Sequence, residues 1–142
     1  MLFLATILFA CFVVALPILI TYLVNLQYTR NKEWRELTEK FSKTKFPLEN
    51  VYIIPFARVA NKKLKYALKV AVDTDGVYFH VSKLFSALAI WFIPWSQIQN
   101  LSCQEQDKSI IFNVNSTTFV LFPVNSSELY QMLQNGYQNR VK

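Results

Sequence analysis

Hydrophobic and polar positions along the chain follow three successive patterns. Residues 2–24 are apolar apart from Thr6, Pro17, Thr21 and Tyr22, and no charged side chain precedes Arg30. A helix rising ~1.5 Å per residue needs about 20 residues to cross ~30 Å of hydrocarbon, so this run predicts a membrane-spanning helix. Pro17 can kink such a helix without breaking it, because spans tolerate proline. A cleaved signal peptide would have a basic start and a shorter apolar core. Here no basic residue comes first, and Ile18, Leu19, Ile20, Tyr22 and Leu23 continue beyond a plausible cut. The run therefore reads as an uncleaved anchor.

The second pattern, "NKEWRELTEKFSKTKF", has a helical period. Trp34, Leu37 and Phe41 fall at i, i+3 and i+7 on one face. Glu33 and Glu36 lie early and Lys40 and Lys43 late, as the helix dipole favours. Neither Gly nor Pro separates this segment from the span, so one long helix is expected to continue out of the membrane. Its apolar stripe is narrow, which favours packing of the Trp34 face on a domain over lying in the bilayer interface. Pro47 is expected to end it.

From Val51 to Phe122 the period drops to two. "VYIIPFARV" is the first strand. In "LKYALKVAV", Leu64, Tyr66, Leu68, Val70 and Val72 alternate with Lys65, Ala67, Lys69 and Ala71, so Leu64, Tyr66, Leu68 and Val70 are expected to be buried, leaving Lys63, Lys65 and Lys69 outward. "DTDG" is a hairpin signal, with Gly76 supplying a positive φ. "VYFHVS", "AIWFIPW", "IQNLSCQ", "SIIFNVN" and "TTFVLF" complete about seven strands. The last segment is helical. Asn125 and Glu128 form a capping box, Val124 and Leu129 stand where a hydrophobic staple would be, and Leu129, Met132 and Leu133 make the buried face. Gly136 is the expected stop.

One stretch competes with this division. "LFSALAIWFIPW", residues 84–95, is twelve residues without a charge. As a helix it would rise only ~18 Å, too little to span. Pro94 interrupts it, and neighbouring strands would lose their partners if it entered lipid. It reads as a loop and a buried strand; the pattern leaves residues 84–89 open, and an exposed apolar loop there would be a contact surface. Pro94 implies a sheet edge or bulge, and Trp95 a core filler.

The 142 residues thus divide into an anchor (1–29), a juxtamembrane amphipathic helix (30–46) and a β domain with a C-terminal helix (47–142). Arg30, Lys32 and Arg35 follow the span, and the positive-inside bias puts the domain in the cytoplasm. Cys11 lies in the span and Cys103 in the domain, which argues against an intramolecular disulfide. Three glycosylation-type triplets begin at Asn100, Asn115 and Asn125, and they matter only in a secretory lumen.

The order of elements is that of a pleckstrin-homology-like (PH-like) domain. The residues "DTDGVYFHVSKLFSALAIWFIPWSQIQNL" resemble the middle of bacterial PH-like and GRAM-like domains, through Gly76 to Tyr78 and Ile93 to Ile98. With Trp34 and Leu37, the chain also resembles small bacterial single-pass membrane proteins. The resemblance covers roughly residues 34 to 135. It implies an α+β fold, a PH-like antiparallel β-barrel or sandwich of about seven strands behind an N-terminal transmembrane helix and capped by a C-terminal helix. It implies binding to lipids or proteins rather than catalysis. The Lys/Arg pattern of phosphoinositide binders around the first hairpin is matched only loosely, so inositide binding is not implied.

The residues themselves offer no catalytic set. His80 is the sole histidine and has no nucleophile pattern beside it. One histidine and one domain cysteine do not make a metal site. Turn chemistry accounts for Asp73 and Asp75, and two glycines cannot form a phosphate loop. The expectation is a non-enzyme without cofactor or metal. Charge says more. Residues 30–69 hold eleven Lys and Arg against four Glu, in a chain of net charge +6. Arg58, Lys62, Lys63, Lys65 and Lys69 are the candidate contact residues. They suit anionic lipid headgroups beside the membrane or an unknown membrane or cytoplasmic protein partner. Nucleic acid is not expected, as no recognition helix or stacking platform is present. The chain reads as an interaction module on the bacterial inner membrane, with an accessory subunit of a larger membrane complex as the alternative.

Overall fold

The structure, a computed structural model, describes residues 1–83 and 86–140. Residues 84–85 of the stretch left open at 84–89 lie outside the described residues, and the remainder is not a loop: a strand begins at Ser86, Leu88 packs against the core and Ala89 is buried. Helix α1 spans Leu2–Thr29. Its 28 residues rise about 42 Å, some 12 Å more than a hydrocarbon core requires. It is long and apolar enough to cross a membrane, and its apolar window is free of domain contacts. The last two turns are different. Thr21, Val24, Asn25 and Leu26 are half-buried, and Tyr28 is only 3% exposed.

The expected continuous helix is interrupted. Asn31 leaves the helical region at φ −75° and ψ 122°, and its side chain accepts the Trp34 N–H at 3.0 Å. This is an N-cap, and it starts a separate helix, α2, at Lys32–Phe41. Trp34, Leu37 and Phe41 are buried as the spacing predicts. The helix ends well before Pro47. Ser42 bridges to Trp91, and the Lys43 N–H donates to the Ile90 carbonyl at 2.8 Å, so the chain pairs with a strand edge instead.

Seven strands follow: β1 (Val51–Val59), β2 (Lys62–Val72), β3 (Gly76–Lys83), β4 (Ser86–Pro94), β5 (Ile98–Cys103), β6 (Ile110–Val114) and β7 (Thr117–Phe122). They form one antiparallel sheet in the order β4-β3-β2-β1-β7-β6-β5. The charge-free stretch thus contains a strand, and Pro94 ends it on an edge where no ladder donor is lost. Trp95 opens a short 3-10 turn, Trp95–Gln97, before β5. Helix α3, Ser126–Asn139, is capped by Asn125, whose amide donates to Glu128 Oε2 at 2.9 Å.

Four local expectations change. Gly76 does not take a positive φ. It is needed because a Cβ there would meet Phe92 Cζ and Pro94 Cα at 2.9 Å, and the Ile93 carbonyl closer still. Gly136 does not stop α3, which runs on to Asn139. Val124 is 87% exposed and staples nothing. Tyr66, expected inward, is 71% exposed. The β1–β2 register slips between Ile54 and Phe56, and Tyr66 takes φ +51°. This is a β-bulge beside Pro55, which has no N–H for a ladder. The extra residue moves Ala67 inward and leaves both Lys65 and Tyr66 outside.

The core lies on the concave face of the sheet. Phe119 stacks on Phe112 at 4.9 Å and meets Phe79 at 5.2 Å and Trp91 at 6.2 Å. Helix α2 covers β4: Trp34 meets Trp91 edge-on at 4.6 Å, and Trp91 Nε1 donates to Thr38 Oγ1 at 3.1 Å. Helix α3 closes the other side with Leu129 and Leu133, its half-buried Met132 beside them.

Candidate functional site

The five candidate cations lie on β1 and β2. The antiparallel register sets Arg58 opposite Lys63, Val59 opposite Lys62, Phe56 opposite Lys65 and Ile53 opposite Lys69. Arg58, Lys63, Lys65 and Lys69 are exposed and Lys62 is half-buried. Facing like charges such as Arg58 and Lys63 cost stability in a sheet. Among the described residues the ion pair present is Lys32–Glu36 at 3.7 Å, so none of the five is neutralised by a carboxylate.

Tertiary structure divides the set. The β1–β2 turn, Ala60–Asn61, has φ +51° and +62° and is a two-residue hairpin turn of the kind that matches strand twist. Asn31 Nδ2 donates to the Ala60 carbonyl at 2.9 Å and ties this turn to the α1–α2 junction. There the Lys62 and Lys83 ammonium groups lie 5.6 and 6.0 Å from the Tyr28 ring centroid. Tyr28 packs edge-on against Trp34 at 4.6 Å. Sequence reasoning missed Lys83 and Tyr28, since only the fold brings β3 and α1 to the hairpin. Their cation–aromatic geometry has no one-dimensional signal.

Lys69 is at the other end. Seven residues of strand at ~3.3 Å each separate it from Lys62 by about 23 Å. It borders a groove of about 360 Å³ lined by Phe46, Pro47, Leu48, Val51 and His80. The Phe46 ring packs 5.3 Å from His80, and His80 Nε2 is buried without a hydrogen-bond partner. Burial first, and the nearby Lys69 charge second, push the His80 pKa below its ordinary value. The imidazole is thus neutral at pH 7 and is not hydrogen-bonded to an acid or nucleophile. Ile53, 59% exposed, and Tyr66 lie beside Lys69 and Lys65. Phe56 and Phe122 pack at 5.3 Å on the same outer face.

The curled antiparallel sheet of seven strands with one C-terminal helix has the layout expected from the sequence resemblance. Among solved structures, the chain is similar to one described as the PH domain from PfAPH. The two are 16% identical, with 77% of this chain and 88% of that chain covered, at a TM-score of 0.42. No family model matches the sequence, and no curated protein matches it.

Proposed function

We propose that the chain is a membrane-tethered, non-enzymatic interaction module. Helix α1 spans the inner membrane of a bacterium, the domain faces the cytoplasm, and the β1–β2 end rests on anionic headgroups. The supporting observation is the attachment of that cationic end to the exit of the span, through Asn31 to Ala60 and through Lys62 and Lys83 to Tyr28. Arg30, Lys32 and Arg35 give the orientation. Each Lys or Arg near an anionic surface contributes about 1 kcal/mol, so Arg58, Lys62 and Lys63 supply ~3 kcal/mol. That is marginal for a free domain and ample for one held at high effective concentration by its tether.

Amide exchange of residues 59–63 tests this with the full chain in nanodiscs. Anionic lipid should protect the turn more than neutral lipid does. Salt should remove the difference, and so should Lys62→Gln with Lys63→Gln. Equal protection in the two lipids would refute the headgroup contact.

The accessory-subunit alternative has its own support. A shallow apolar groove on α1 is lined by Ala10, Cys11, Val14, Ala15 and Ile18, small enough for a second helix to approach. On that reading Ala15→Leu would release a partner that otherwise co-purifies in mild detergent, and an unchanged complex would count against it.

A further inference from the structure

We infer that the outer face centred on Tyr66 is a docking surface for an acidic protein segment that presents an apolar side chain. This rests on reading the domain as an interaction module and adds the chemistry of the partner. Tyr66 is a bulky residue held at φ +51° while 71% exposed. Left-handed backbone costs energy in a side chain with a Cβ, and here no burial of the ring offsets it. The bulge does leave the ring exposed, next in the strand to Lys65 and three residues before Lys69. Ile53, opposite Lys69, is exposed, and Phe56 and Phe122 extend the apolar centre. The groove walled by Phe46, Leu48 and Val51 borders Lys69 and can receive an apolar side chain.

Charge identifies the partner. β1, β2 and β7 contain no Asp or Glu, and Lys65 and Lys69, which the headgroup contact does not use, stand on this face without a carboxylate partner. A cationic rim around an apolar centre is complementary to acidic residues flanking an apolar anchor. Lys69 stands about 23 Å along the strand from Lys62, nearly three Debye lengths at physiological salt. With the hairpin end held at the span, that separation favours a protein here over the headgroups met by Lys62 and Lys63.

The test is photocrosslinking of the full chain in membranes of its own cells. The photoreactive residue p-benzoylphenylalanine replaces Tyr66, Ile53 or, as control, the exposed Glu105 beyond β5. Tyr66 and Ile53 positions should yield a discrete protein adduct that the Glu105 position does not. Mass spectrometry should map it to a segment rich in Asp and Glu. Lys65→Glu with Lys69→Glu should lower the yield about tenfold, a factor corresponding to ~1.4 kcal/mol. Lys65→Arg with Lys69→Arg should keep it, which separates loss of charge from loss of fold. Lipid adducts alone, no adduct, a segment without acidic residues, or indifference to charge reversal would each overturn the inference. None of these outcomes bears on the headgroup contact, which amide exchange at residues 59–63 decides separately.

Discussion

Gly136 carries no side chain because Trp95 occupies the space. A Cβ at this position would lie 2.6 Å from Trp95 Cη2 and nearer to two other ring atoms. The ring cannot swing away, since it is 4% exposed and its Nε1 donates to the Thr74 carbonyl at 2.9 Å. In an exposed helix, Gly→Ala stabilises by about 1 kcal/mol. Overpacking a rigid site costs about 1–3 kcal/mol, so the sign reverses here. Gly136→Ala should lower the denaturant midpoint, and a raised midpoint would disprove the steric reading. His80 gives a second prediction at this scale. Its folded pKa lies below the ordinary 6.5, owing to burial and then to Lys69. Between the two values the unfolded chain binds more protons, so stability rises with pH. The contribution is complete above about 6.5 and is lost as acidification passes the lowered folded value. Melting temperature against pH should show this slope, and His80→Asn should flatten it.

At the scale of elements, the irregular points of the sheet are set by single residues. Pro55 and Tyr66 break the β1–β2 ladder between Ile54 and Phe56. In a regular strand, Gly is about 0.5–1 kcal/mol worse than Ala. At the left-handed φ of Tyr66, Ala costs about 1–2 kcal/mol that Gly does not. Tyr66→Gly should therefore be as stable as Tyr66→Ala or more so, by up to ~1.5 kcal/mol. Paired chemical denaturation curves decide it, and the usual order, Ala above Gly, would mean that no left-handed bulge exists. The helix ends follow similar local rules. Asn31 starts α2 and Asn125 starts α3, each accepting an N–H of the first turn. At the far end of α3, Arg140 Nη1 donates to the Ile98 carbonyl at 2.6 Å and to the Trp95 carbonyl at 3.2 Å. This anchors the helix beyond Gly136.

For the whole molecule, Tyr28 joins helix α1 to the domain. It belongs to α1 yet lies in the domain core against Trp34, with Val24 packed beside it. The last turns of the helix are thus part of the domain's packing. Truncating a buried aromatic costs about 3–5 kcal/mol, so Tyr28→Ala should destabilise the domain by roughly that amount. For the same reason a soluble piece beginning at Thr21 should unfold at higher denaturant than one beginning at Asn31. Equal midpoints would show that the last turns of α1 are only a linker.

Periodicity determined the kind and order of the elements, though not the break between α1 and α2 at Asn31. An uninterrupted apolar run made α1, the i, i+3, i+7 spacing made the buried face of α2, and alternation made the strands. These are local properties: side-chain direction repeats every 3.6 or 2 residues, so the pattern of burial is written in the order of residues. The charge-free stretch was legible for the same reason, since length and Pro94 forbid a span. What depends on distant neighbours was decided only by the tertiary structure. Gly76 and Gly136 were expected to act through backbone freedom, but they act through space taken by Phe92 with Pro94 and by Trp95. Tyr66 obeys the alternation on paper, and a slip against another strand turns it outward. The lysines were visible as charges. Their division into Lys62 at Tyr28 and Lys69 at His80 was not, because the two ends of β2 acquire different surroundings only when α1, β3 and residues 46–48 fold against them.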